Sequence, residues 1–139
     1  MNAGITRGYR AARNATQALD QDSDAAQFHA WRRRVKDHAY QVRLFETWHP
    51  SARARARDVG ALAEWLGHHQ NQAVLRHVIL ESPDRFGDAR TTAVVLGCIT
   101  RLQASERQRA LRIGRRLSSL SATRFRRSVT AWGQGRRKK

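Results

Sequence analysis

Five donor-bearing side chains recur along the stretch QFHAWRRRVKDHAYQVRLF, residues 27–45: His29, Arg32, Lys36, Tyr40 and Arg43. Their offsets place them in one stripe roughly 60° wide on a helix turning about 100° per residue, with Arg33 on its edge. Trp31, Val35, His38, Val42 and Phe45 fall on the opposite face. Asp37 and Glu46 lie outside the stripe, so its cations lack neutralising neighbours on the same face. Like charges one turn apart cost roughly 0.2–0.5 kcal/mol per pair on an isolated helix. Such a row is chemistry for holding an anion. Each guanidinium can grip an anionic oxygen pair with two hydrogen bonds. Lys36 adds a point charge and Tyr40 a hydroxyl. His29 donates better when protonated, so anion binding should tighten at lower pH. An ordinary solvated basic face is the plainer alternative for the helix, and helix–helix packing for His29 and Tyr40.

Other constellations point nowhere so definite. The chain has only four Glu and no paired carboxylate motif to hold Mg²⁺, and it lacks a GxxxxGK[ST] loop, so phosphoryl chemistry is not expected. The reading is of a protein that is not an enzyme. His68, His69 and His77 fit no metal-ligand spacing, so no metal and no cofactor are expected. Cys98 lies in the apolar run AVVLGCI and reads as one buried thiol in a reducing, cytoplasmic protein. Trp31, Trp48 and Trp65 fit core positions, leaving Trp132 as the one exposed aromatic available for base stacking.

The bulk numbers frame this row of donors. The chain has 139 residues, with 27 Lys+Arg against 11 Asp+Glu, a net charge of +16. Only Lys36, Lys138 and Lys139 are lysine. Self-repulsion at that level favours an anionic partner. Non-specific nucleic-acid binding at low salt is expected of any such surface. No signal-peptide h-region opens the chain and no apolar run reaches the ~18 residues of a membrane span, so no membrane association is expected.

The elements that must position the donors read as all-α. A first helix is expected from about Ile5 to Leu19. A second, capped by Asp24 with Gln27, runs to about Trp48. A third spans Ser51 to Leu66, with Gly67 breaking it before a fourth, NQAVLRHVIL. ESPDRFGD is a turn. A long helical region covers about Ala89 to Leu120, bent near Ser105, and SATRFRRSVTAW closes the domain. Short connections imply an antiparallel four-helix-type bundle. Residues 1–132 form one domain, and 133–139, GQGRRKK, a disordered basic tail. Arg7, Arg10 and Arg13 sit at i, i+3 and i+6 on the first helix. Arg90, Arg101, Arg112 and Arg115 line up on the long one, opposite Val95, Ile99, Ile113 and Leu117. TRFRRS adds Arg124, Arg126 and Arg127. Packed side by side, these stripes would merge into a basic groove.

The stretch FHAWRRRVKDHAYQVRLF resembles the signature of the CHAD family, the conserved-histidine α-helical domain. The match is a His followed by basic residues at +3, +4, +5 and +7 and Tyr at +11: His29, Arg32, Arg33, Arg34, Lys36 and Tyr40. GYRAAR resembles the family's preceding helix, LAEWLGHHQNQAVL its Leu-Gly turn, and RALRIGRRL and TRFRRSVTAW its closing segments. The resemblance covers about Gly8 to Trp132. It implies half of a two-bundle architecture around a basic groove, with this half-length chain resembling the C-terminal half, so that either two copies pair as a homodimer that rebuilds the whole or the chain is a truncated copy. It also implies binding of inorganic polyphosphate, with a location that includes bacterial polyphosphate granules. The polyphosphate-binding residues expected are His29, Arg32, Arg33, Lys36, Tyr40 and Arg43, joined by Arg7, Arg10, Arg13, Arg112 and Arg116. Asn71 stands where the family often has an acidic residue, which makes the turn more positive and removes a potential partner for an Arg. A general polyanion or RNA-binding adaptor is the alternative function.

Overall fold

The computed structural model of the chain describes residues 2–136. It holds five α-helices and one short 3-10 turn: α1 (Asn2–Gln17), α2 (Ala25–Arg43), α3 (Pro50–Glu81), the turn Pro83–Phe86, α4 (Ala89–Leu117) and α5 (Ala122–Gly135). The class is all-α, with no strand among the described residues. Helix α2 packs against α1 and α3, α3 against α4, and α5 against α1.

Local signals fix most boundaries. At the start of α2, the Asp24 carboxylate accepts from the Gln27 amide at 2.7 Å, and the Gln27 side chain accepts from the Asp24 amide at 2.8 Å. This reciprocal box satisfies two donors that a helix start leaves open. Asp88 caps α4 and Ser121 caps α5 through the Thr91 and Arg124 amides. Helix α2 stops at Arg43, one turn before the expected end, and residues 44–48 form turns.

Gly67 does not interrupt α3, which runs unbroken for 32 residues. A mid-helix glycine costs only about 1 kcal/mol relative to alanine, an amount that packing along both neighbours outweighs. Likewise α4 passes through Ser105 without a break. Helix α5 includes Gly133 to Gly135, where the sequence predicts the start of a tail, and residues 137–139 lie outside the described residues.

Two clusters make the core. One joins Leu19, Phe28, Trp31, Val35, Val59, Leu62, Leu66 and Leu111. The other joins Ile5, Tyr9, Val42, Phe45, Phe125, Val129 and Trp132. Trp132 is therefore buried rather than exposed. Its indole N–H donates to Ser51 Oγ at 2.8 Å, which ties α5 to the start of α3. Trp31 is fully buried, donates to Thr16 Oγ1 at 2.8 Å, and lies against Gly114, where a Cβ would fall 2.5 Å from the indole. Trp48 and Trp65 are only half-buried, each with an arginine over its ring.

The far half of the α3–α4 hairpin is different. Cys98 is exposed, not buried, and Val95 is 38% exposed. The periodicity that put them on an inward face is real, but no other helix covers that stretch. No helix of the described residues is long and apolar enough to cross a membrane.

Candidate functional site

The buried face of α2 consists of Phe28, Trp31, Val35, His38, Ala39 and Val42. Burying it fixes what the remaining faces present. His29, Arg33, Tyr40 and Arg43 are exposed, and Arg32 and Lys36 are half-buried. At 1.5 Å rise per residue, the row from His29 to Arg43 is about 21 Å long. None of the six has a side-chain hydrogen bond or ion pair with another described residue. The ion pairs among the described residues are Arg57–Asp58 and His77–Glu81, both elsewhere.

Arg32 is the best-positioned member. Its guanidinium extends across to α3 and lies over Gly67, 3.6–3.7 Å from where a Cβ would stand. Its Nε is buried and has no partner. Gly67 is thus the floor under Arg32.

The other candidate arginines lie on different flanks. Arg7 lines a cleft of about 340 Å³ between α1 and α2, shared with Arg34, Asp37 and Gln41. Arg34 is on the α1 flank of α2, whereas Arg32 is on its α3 flank. Arg7 therefore does not share a cleft with Arg32. Arg10, Arg112 and Arg116 are exposed on α1 and α4. Arg13 donates through Nε to the carbonyl of Ser118 at 3.1 Å, just past the end of α4. Sequence reasoning does not anticipate Arg34 as the partner of Arg7 in this cleft. The helical wheel already separates Arg34 from the row by more than a right angle.

Two arginines that sequence reasoning passes over are the most constrained cations among the described residues. Arg55 lies beneath the second core cluster, 5.0 Å from the Tyr9 ring centroid and 4.9 Å from that of Phe125. It donates to His38 Nε2 at 3.4 Å and to the carbonyl of Leu117 at 2.9 Å. Burial and then the Arg55 charge push His38 down to about 3, so the imidazole is neutral. The Arg55 donation to Nε2 leaves the proton on His38 Nδ1, which has no partner. Arg107 repeats the pattern. It stands 4.4 Å over the Phe28 ring and donates to His69 Nε2 at 2.9 Å and to the Ser23 carbonyl at 2.8 Å. Burial, then Arg107, push His69 down to about 4. A signal existed: Arg55 falls at i+3 from Ala52 and i−4 from Val59, on the buried stripe of α3.

A family model described as the CHAD domain matches residues 1–80, more than half of the chain, and the protein belongs to the CHAD domain family. The matched segment contains α1, α2 and nearly all of α3, and with them the whole row from His29 to Arg43. The closing segments RALRIGRRL and TRFRRSVTAW lie outside it. No curated protein and no solved structure matches the chain.

Proposed function

We propose that this chain is a non-catalytic module that binds inorganic polyphosphate along the α2 row, with Arg32, Arg33, Lys36 and Arg43 on phosphate oxygens and His29 and Tyr40 as further hydrogen-bond donors. CHAD domains are associated with polyphosphate binding in general and are generally non-catalytic binding domains. The observation that carries the reading is the row itself: six donors along one flank with no carboxylate bonded to any of them. A baseless polyanion needs only spaced cations, and its affinity comes largely from counterion release. In this reading the first four helices form an antiparallel bundle whose α2–α3 flank is the groove. A long polyanion continues from it onto the Arg7–Arg34 cleft and the exposed Arg10, Arg112 and Arg116. Arg13, with its Nε on the Ser118 carbonyl, contributes its field and its remaining donors. The compartment is the cytoplasm, including polyphosphate granules.

The charge of +16 supports a second reading, a general polyanion or RNA adaptor. The stacking platforms such a protein uses are few: Trp31 and Trp132 are buried and Trp48 and Trp65 half-buried, which leaves Tyr40 and Phe86 as the exposed aromatic rings among the described residues. The test is a competition titration near physiological salt: labelled polyphosphate on the protein, challenged with single-stranded RNA of equal total charge. Displacement only at large RNA excess is the expected result. Equal competition would replace the polyphosphate reading with the general one.

A further inference from the structure

Among the described residues, eight of the ten large apolar side chains that stand out as exposed lie between residues 74 and 102, on the far half of the α3–α4 hairpin. Six of them, Val74, Leu75, Val78, Val94, Val95 and Leu102, are 38–60% exposed. None of the six lines the wedge-shaped cavity of about 590 Å³ between this hairpin and the α1–α2 loop; Ala73, His77, Leu80, Thr100, Gln103 and Ala104 do. The six therefore occupy the remaining faces of the two helices. On α3 they continue a packed stripe. Gly67 lies under Arg32 of α2, and Val74 and Val78 follow at offsets of seven and eleven, where no helix covers them.

Charge separates this region from the rest. Residues 70–105 hold four arginines, Arg76, Arg85, Arg90 and Arg101, against Glu81, Asp84 and Asp88, a net +1 of the chain's +16. A polyanion is drawn to the other +15. For two copies of so basic a chain, the hairpin is a face where approach meets little repulsion. It also carries both signs, including the exposed His77–Glu81 pair at 3.1 Å, as a self-complementary patch requires.

We infer that the α3–α4 hairpin is the surface through which two copies of this chain associate. An aliphatic side chain of this size has on the order of 100 Å² of apolar surface, so the six leave on the order of 300 Å² open per copy. A twofold contact buries that patch twice. With a polar rim of similar extent, the interface reaches on the order of 1,000 Å², the lower bound for specific association. The dimer is accordingly a modest one, forming at micromolar concentrations. It leaves the α2 row free.

The test is sedimentation velocity of the full chain from low to tens of micromolar, at low and high salt, with Val78→Asp/Val95→Asp and the milder Leu75→Gln/Leu102→Gln alongside. The wild type is expected to shift toward dimer with concentration and with salt, because salt screens the repulsion between basic bodies. Polyphosphate binding should weaken with the same salt, so the two behaviours separate. Both variants should be monomeric, with unchanged helical circular dichroism and unchanged polyphosphate affinity. A wild type that stays monomeric throughout overturns the inference, as does a dimer that survives in folded variants. Cys98, three residues from Val95 and four from Leu102, gives a readout that needs no variant: its alkylation should slow several-fold on concentrating the protein. Equal rates at both ends of the range would overturn the inference.

Discussion

The guanidiniums of Arg55 and Arg107 point inward, and those of Arg33 and Arg43 point out. The inner two are held by an aromatic face, a neutral His and one or more backbone carbonyls, with no carboxylate hydrogen-bonded to either. Between them they join α3 to the end of α4, and α4 to the loop before α2. The outer ones, with Arg32 half-buried over Gly67, have donors that nothing in the described chain uses. Arginine thus serves two ends within one small fold. Where its donors are satisfied, it fixes the packing; where they are open, it defines a surface that an anion can complete. The same residue type should therefore give opposite phenotypes by region: stability from the inner set, affinity from the outer.

Acid is the strongest probe of the inner set. A His whose folded pKa lies below its unfolded value stabilises the fold fully above the unfolded value, and that stability is lost as pH falls toward the folded one. His38, at about 3, should therefore cost on the order of 3 kcal/mol between pH 6.5 and pH 4, with His69, at about 4, acting in the same direction. Urea unfolding at pH 7 and pH 4 measures this, and His38→Leu should flatten the dependence. An unchanged midpoint would mean the two imidazoles are not held neutral. Next in size, Arg55→Ala should destabilise by roughly 2–4 kcal/mol, because it leaves the Leu117 carbonyl and His38 without a donor and opens a void beside the stacked Tyr9 and Phe125 rings. Its polyphosphate affinity, measured on the folded fraction, should stay within a few-fold of wild type. A large loss of affinity without loss of stability would break the division between inner and outer arginines.

The outer set reverses the pattern. Arg32→Ala/Arg33→Ala/Lys36→Ala should lower polyphosphate affinity by about 30-fold, roughly 2 kcal/mol, and flatten its salt dependence by about one slope unit per cation removed. Its unfolding midpoint should move little, since surface changes are usually within about ±0.5 kcal/mol. Unchanged affinity in a folded triple variant would remove the α2 row as the binding surface. Gly67→Ala sharpens the same point from the other side: a Cβ there comes only into ordinary contact with the Arg32 guanidinium, at 3.6–3.7 Å, so the change should raise stability by up to about 1 kcal/mol in urea unfolding and leave polyphosphate affinity within about two-fold.

How much of this the sequence disclosed depends on what kind of information each feature needs. Helix α2 was readable almost completely, because its cap is a local Asp24–Gln27 box and its buried face, Phe28 to Val42, has a clean helical period. The row opposite that face followed directly. What periodicity does not reveal is which neighbour covers a face. Val95 and Cys98 keep the period of a buried stripe yet stand exposed where α3 and α4 outrun the other helices, and Trp132 is buried because Ser51 and α5 happen to meet. Gly67 read as a break because glycine is a weak helix former, but packing carries α3 through it, with the Arg32 guanidinium lying over it. The separation of Arg7 from Arg32 on two flanks of α2 needed the positions of both neighbouring helices.

The smallest predicted effect tests the finest division within the outer row. Tyr40 is 59% exposed and its hydroxyl has no partner, so it contributes at most one neutral hydrogen bond to an anion that the flanking Lys36 and Arg43 already hold. A net neutral hydrogen bond is worth about 0.5–1.5 kcal/mol, and less on an open surface. Tyr40→Phe should thus weaken polyphosphate binding by about two- to three-fold, leaving the salt slope intact because no charge is removed. Paired isotherms at several salt concentrations resolve the two parameters separately. A parallel downward shift marks Tyr40 as a donor within the row. A changed slope would instead mean that the ring orders the flanking cations, and the row would then have to be treated as one coupled surface rather than as a sum of separate contacts.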